Sequence, residues 1–204
     1  MVAVAEHYFT EQPTSKPEPG LIRCTLRGLS LEFLTDSGVF SHRRIDAGTR
    51  LLIESLILPP DGALLDLGCG YGPIGIVASR LSPRLKVWMT DVNARAVALA
   101  EANAARNRAG NIKALQGSLY EPVEGLEFDA IVSNPPISAG MKRVVEPLVA
   151  GSVGHLRDGG SLQLVVQSNK GGRTLAGLME DAYGWVEVVA RRGGYRVLMA
   201  VKGA

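Results

Sequence analysis

The stretch Ala63-Leu64-Leu65-Asp66-Leu67-Gly68-Cys69-Gly70-Tyr71-Gly72-Pro73-Ile74-Gly75 constrains this chain more than any other part of it. Ala63 to Leu67 reads as a strand buried in a sheet, and the glycines after it let the backbone turn sharply and approach a ligand closely. Pro73 suits the first turn of a helix, whose free N–H groups then face the same turn. Strand, glycine turn and helix in succession form a nucleotide-binding device, and such a device belongs in an α/β sheet.

The rest of the chain supplies that sheet. Strands are predicted at 63–67, 85–90, 112–116, 128–133 and 161–167, with helices at 73–81, 93–107, 140–156 and 171–182 between them. This alternation predicts a mostly parallel, Rossmann-like sheet covered on both faces. Strands at 185–191 and 195–201 are separated only by Arg192-Gly193-Gly194, too short for a parallel crossover, so they form an antiparallel hairpin at the end of the sheet. Upstream, Ile22 to Thr35 alternates as a β-hairpin turning at Arg27-Gly28, and a helix runs from Asp46-Ala47-Gly48-Thr49 to about Leu58, where Pro59-Pro60 stops it. With 204 residues, 46% of them hydrophobic, the chain is expected to be a single domain: an arm at 1–20, a hairpin and helix at 21–58, and a catalytic core at 59–204. Residues 10–20 carry three prolines and few apolar groups, which favours an extended surface arm.

Several classes are disfavoured. No segment is apolar enough to span a membrane, and Met1 to His7 lack the pattern of a signal peptide, so a cytoplasmic location is expected. Cys24 and Cys69 are the only cysteines, and His7, His42 and His155 are scattered, so neither a structural disulfide nor a metal site is expected.

Gly70-x-Gly72-x-x-Gly75 also satisfies the dinucleotide fingerprint, which raises an NAD-dependent oxidoreductase as a rival. Asp66 argues against it. A carboxylate turned into the crevice repels a pyrophosphate but suits a ligand with a cationic amino-acid tail and a sulfonium, which points to S-adenosylmethionine. Asp91, at the end of the next strand, is placed to accept ribose hydroxyls of either nucleotide, while Asn93 caps the following helix.

A second motif, Ser133-Asn134-Pro135-Pro136-Ile137, leaves the strand at 128–133 beside the same crevice. Two successive prolines fix the backbone and are expected to leave carbonyls unpaired, so the Asn134 side-chain oxygen and the Pro135 carbonyl can converge on one planar amine. An amine conjugated to a ring or carbonyl is a poor nucleophile because its lone pair is delocalised. Acceptors that draw its hydrogens out of plane concentrate that pair on nitrogen, in line with a methyl donor.

On these residues the chain resembles class I S-adenosylmethionine-dependent methyltransferases of the small-domain (MTS) family. Within it, the chain looks most like the catalytic domain of bacterial 16S ribosomal RNA guanine-N2 methyltransferases and their short single-domain relatives. The likeness includes Ser37-Gly38-Val39-Phe40-Ser41, Asp46 to Leu52, the Asp66–Gly75 turn, Asp91-Val92-Asn93 and Ser133 to Pro136. It implies that Asp66, Gly68, Cys69, Gly70 and Gly72 hold the methionine part of the cofactor and Asp91 and Val92 the ribose. Ser118 and Leu119 would meet the adenine, with Phe40 and the Asp46–Thr49 segment, Gly48 and Thr49 foremost, completing the pocket from the N-terminal side. Asn134, Pro135 and Pro136 would hold the target amine, with Asn134 also touching the cofactor. The chain departs from the family twice. Gln116-Gly117-Ser118-Leu119 lacks the acid that commonly meets the adenine amine, leaving Ser118 as the acceptor. Ile137 stands where many such enzymes carry Phe or Tyr to stack on the base, so Tyr120 or Phe40 would supply the ring.

The resemblance therefore implies methyl transfer to an exocyclic amine in RNA, foremost guanine N2 in ribosomal RNA. Its partners would be ribosomal RNA or a ribosomal subunit, with homodimerisation as one means of binding it. Adenine N6 in RNA or DNA and a protein glutamine amide remain open, as does a catalytically silent RNA-binding module. The net charge of +2 allows nucleic-acid binding without demanding it.

Overall fold

The computed structural model describes residues 15–203, so positions 1–14 of the expected arm lie outside the described residues. Nine strands and five α-helices follow in the order β1 (Gly20–Leu26), β2 (Leu29–Thr35), α1 (Ala47–Ser55), β3 (Gly62–Leu67), α2 (Pro73–Leu81), β4 (Leu85–Asp91), α3 (Ala94–Arg106), β5 (Ile112–Gln116), β6 (Phe128–Ser133), α4 (Glu146–His155), β7 (Leu156–Gln167), α5 (Gly172–Tyr183), β8 (Glu187–Arg192) and β9 (Tyr195–Val201). β3 to β9 make one seven-stranded sheet in the order β5-β4-β3-β6-β7-β9-β8. β3 to β7 are mutually parallel, and β9 is antiparallel to both β7 and β8. The expected α/β sheet with an antiparallel end hairpin is thus present.

Alternation along each strand divides the core in two. Leu64, Val87, Met89, Ala130 and Val132 face α1, α2, α3 and the β1–β2 hairpin. Ala63, Leu65, Leu67, Ile131 and Leu164 face α4 and α5, joined by Phe128 ahead of an irregularity in β6–β7 pairing. The chain leaves β3 towards β4 and β5, then crosses back to lay β6 on the other side of β3. Ligands bind at such a reversal of strand order, beyond the carboxyl ends of the strands.

The hairpin turns at Arg27 (φ 47°) and Gly28 (φ 79°), the left-handed pair that a two-residue turn requires. Its outer edge is closed by α3. Asn103 accepts from Leu34 N and donates to Leu34 O, while Asn107 accepts from Glu32 N and donates to Glu32 O. Two asparagines one helical turn apart thus act as the next strand would.

Three boundaries differ from expectation by three residues or more. α1 ends at Ser55, not Leu58, because the buried Gln163 amide takes both the N–H and the carbonyl of Ile57. The helix expected over 140–156 opens as a 3₁₀ turn (Ile137–Ala139) and a π turn (Met141–Val145), and regular α structure begins at Glu146 with Pro147 in its first turn. β7 starts at Leu156, not residue 161: Leu156 already pairs with Phe128, and a bulge at Gly159 (φ 78°) shifts the register before Ser161 meets Ala130.

Candidate functional site

At the carboxyl ends of β3, β4, β6 and β7 lies a cleft of about 880 Å³. The glycine turn forms its floor. Gly68 N and Cys69 N both donate to Thr90 O, at 2.8 and 2.9 Å, and Gly70 N donates to Asp91 Oδ2 at 2.8 Å, so the turn is tied to the end of β4. Gly68 and Gly70 have left-handed backbone (φ 72° and 57°), and a Cβ on either would project into open space within the cleft.

Of the residues singled out from sequence, Phe40, Thr49, Gly68, Cys69, Gly70, Asp91, Val92, Ser118, Leu119, Asn134, Pro135 and Pro136 all line this cleft. Three others lie behind its walls. Gly72 (φ 92°) precedes α2, and a Cβ there would come within 3.4 Å of the α3 backbone at Ala100. Gly48 sits in the first turn of α1 under Tyr195, whose ring leaves 2.9 Å for a Cβ.

Asp66 is the third, and the expected carboxylate in the crevice is instead a buried one beneath it. Strand alternation turns Leu65 and Leu67 to the α4–α5 face and Asp66 to the α2 face, where it is fully buried. There Oδ2 accepts from Gly75 N at 2.8 Å, while Oδ1 has no protein partner. Burial pushes this carboxyl up to about 7; the Gly75 N–H opposes that rise, and the nearby Asp91 adds to it. Asp91 is also raised by burial, against three backbone N–H groups, of which Asn93 and Gly70 donate to opposite oxygens. Asn93 caps α3, accepting from Arg95 N and Ala96 N.

Asn134 is held from across the cleft. Its Nδ2 donates to Thr49 Oγ1 at 2.9 Å and to Asp46 Oδ2 at 3.2 Å, which leaves Oδ1 as the end offered to a ligand. The same Asp46 oxygen caps α1, accepting from Gly48 N and Thr49 N. One carboxylate therefore starts a helix and orients the amide. Ser133 Oγ donates to Leu67 O at 2.6 Å, stitching β6 to β3 just before the motif. The proline carbonyls are not unpaired as expected: an inverse γ-turn at Pro136 (φ −75°, ψ 79°) brings Ile137 N to Pro135 O, and the 3₁₀ turn that follows brings Ala139 N to Pro136 O. Pro135 O keeps a second lone pair. Tyr120 is withdrawn from the stacking role, since it is buried, donates to Leu148 O and stacks on His155 at 4.4 Å. Phe40 remains on the cleft wall, and Leu119 lines it with left-handed backbone (φ 47°).

A family model for the methyltransferase small domain matches residues 30–199. The chain belongs to this family. It is 40% identical to "Uncharacterized protein YbxB" of Bacillus subtilis (strain 168), over 98% of this chain and 100% of that protein. It is 31% identical to ribosomal RNA small subunit methyltransferase C of Escherichia coli (strain K12), over 94% of this chain and 54% of that enzyme. Among solved structures it is similar to the T. thermophilus 16S rRNA N2 G1207 methyltransferase (RsmC) in complex with AdoMet and guanosine. There the TM-score is 0.81 at 26% identity, covering 93% of this chain and 52% of that one. The chain thus spans about half the length of these ribosomal RNA enzymes.

Asp46, expected to help complete the pocket from the N-terminal side, lines this methyltransferase cleft, which also contains residues that the sequence reading did not assign to it: Ser41, Arg143, Gln167, Lys170 and Tyr195. The helix-capping role of Asp46 was visible in its position; its bond to Asn134, 88 residues away, was not. Among the described residues no three His, Cys, Asp or Glu side chains converge as a metal site, and no helix is long and apolar enough to cross a membrane.

Proposed function

We propose that this methyltransferase uses S-adenosylmethionine to methylate an exocyclic base amine in RNA, and that the amine is N2 of guanine in small-subunit ribosomal RNA. The observation that carries the reading is the anchored Asn134 amide, whose Nδ2 is occupied by Asp46 and Thr49 and whose Oδ1 is the end left for an amine. The ribosomal RNA relatives supply the substrate class, and a substrate of that kind fits a cytoplasmic location.

The cleft suits the cofactor. The orphaned Oδ1 of Asp66 and the open cradle over Gly68 and Gly70 match a cationic amino-acid tail lying on the glycine turn. Gly68, Cys69 and Gly70 would hold that tail, with Asp66 acting from below. Asp91 and Val92 would hold the ribose, Ser118 and Leu119 the adenine, and Phe40 and Thr49 the N-terminal side. Gly48 and Gly72 would shape these walls from behind. When bound, the cofactor supplies an electrophilic methyl group.

Asn134 Oδ1 and the second lone pair of Pro135 O accept the two amine hydrogens, and Pro136 keeps that carbonyl in place. Drawing both hydrogens to one side localises the nitrogen lone pair opposite them, towards the glycine turn. No strong base is required, because the nitrogen becomes acidic as it acquires the methyl group and its proton passes to solvent.

The test is incubation with tritiated S-adenosylmethionine and unmodified small subunits, naked ribosomal RNA, DNA or protein extract, followed by nucleoside and amino-acid analysis. Label in N2-methylguanosine is expected. Label in N6-methyladenosine or methylglutamine would overturn the guanine assignment, and cofactor binding without transfer would mark a silent RNA-binding module.

A further inference from the structure

We propose that the turn between β8 and β9, with the neighbouring β7–α5 turn, is a docking surface for the phosphate backbone of single-stranded RNA beside the cleft. The proposal takes its RNA from the function argued above.

Because β9 runs antiparallel to β7, the β8–β9 turn falls at the same sheet edge as the cleft, and Gly194 O accepts from Ser168 N to fix the two turns together. Tyr195, the first residue of β9, lines the cleft. Arg191 lies directly opposite Arg196 in the antiparallel ladder, so both side chains leave the same face of the sheet. Like charges in that position destabilise a hairpin. Arg196 leans over the β7–α5 turn, its Nε donating to Ser168 Oγ, and passes close to Gly172. Lys170 and Arg143 continue the line into the cleft mouth, and exposed Arg173 lies beyond.

The segments carrying these groups, 137–145, 167–173 and 189–196, contain no Asp or Glu. The ion pairs among the described residues involve Arg23, Arg84, Arg95, Arg106, Arg157 and Lys202, and none of the cations at this edge. In a chain of net charge only +2, an edge with its arginines paired to one another and no acid within these segments fits a polyanion; the acid that does approach it, Asp46 beside Tyr195, is engaged by Asn134 and the start of α1. Arg143 and Lys170 line the same cleft as Asn134, so a strand whose phosphates lie on this edge can turn one base into the cleft.

The experiment measures binding of a fluorescein-labelled single-stranded RNA oligonucleotide of mixed sequence by anisotropy across a potassium chloride series. Removing two phosphate contacts with the R173A/R191A double variant is expected to lower the magnitude of the log K against log [salt] slope by about 1.4, at about 0.7 per contact. The same variant should melt no lower than the parent, because a like-charge pair has been relieved; a destabilised variant that loses RNA would instead indicate a structural role and overturn the proposal. The double variant R84A/K86A makes the same charge change at the opposite end of the sheet, where both residues line a second cavity, and should leave the slope unchanged. Equal slope changes in both variants would mean diffuse attraction and overturn the docking surface, as would no change in R173A/R191A or no binding by the parent. Anisotropy does not depend on turnover. The expected slopes without methylation of any RNA would therefore uphold the surface and reject the proposed reaction.

Discussion

Replacing Asp46 by Ala separates the two duties of one oxygen. As the cap of α1 it satisfies Gly48 N and Thr49 N, and losing a helix cap costs about 1 kcal/mol of stability, a fall of about 2–4 °C in Tm for a chain of this size. As a partner of Asn134 it receives Nδ2 at 3.2 Å. Hydrogen bonds to a charged group contribute about 1.5–3 kcal/mol, and the length of this one places it near 1.5, so the freed amide should lower kcat about tenfold. Thr49 still holds Nδ2 at 2.9 Å, which keeps the loss below that of deleting the amide itself. Asp46→Asn is the control. Asn caps helices as well as Asp, and its carbonyl can occupy the place of Oδ2 and accept all three bonds, so kcat should fall less than about threefold. Single-turnover methyl transfer to ribosomal RNA, with cofactor affinity and Tm measured on the same preparations, distinguishes the two duties. Unchanged kcat in D46A despite the lowered Tm would refute the claim that this carboxylate orients Asn134. Equal losses in D46A and D46N would refute it too.

Asn134→Ala should cost about 10²–10³ in kcat while leaving the dissociation constant for S-adenosylmethionine within a few-fold, as read by calorimetry; parallel loss of both would remove Asn134 from the chemistry. Asp66, raised to about 7 in the fold, keeps a proton that the unfolded chain releases near pH 4. The native state then binds more protons through that window, so the Asp66 contribution to stability is greatest at low pH and falls, by on the order of 4 kcal/mol, as pH rises to about 7. Urea unfolding of the cofactor-free protein should show this slope, and Asp66→Asn should lack it; matching slopes would discount the buried carboxyl. Gly75→Ala would bring a Cβ to 2.7 Å from Met89 Sδ and 3.2 Å from Asp66 Oδ2, an overpacking cost of about 1–3 kcal/mol visible as a lower urea midpoint. An unshifted midpoint would mean that Met89 moves aside freely.

The architecture was legible because its signals are local. Strand and helix periods, the Arg27-Gly28 turn and the short Arg192-Gly193-Gly194 link each determine the geometry of their own few residues. The depth of Asp66 was not legible, since a run as apolar as Ala63 to Leu67 does not reveal which face of the strand meets the cleft. Nor was the end of α1, which depends on Gln163 reaching Ile57 from 106 residues away. The Pro135 and Pro136 carbonyls were misjudged because the chain folds back at once, through an inverse γ-turn that brings Ile137 N to Pro135 O and a 3₁₀ turn that brings Ala139 N to Pro136 O. The departure at Ile137 pointed to a substitute ring, and burial assigns Tyr120 to the core instead.

The asparagines of α3 that complete the β1–β2 hairpin also affect the order in which the molecule can assemble. A lone two-stranded hairpin is marginal in water, and this one obtains its outer edge from Asn103 and Asn107. At about 5–20 residues per second, a chain being synthesised exposes Leu29 to Thr35 for several seconds before those side chains exist. The wall that carries Phe40 is therefore among the first parts of the cleft to be made, yet it is secured only once α3 has followed it.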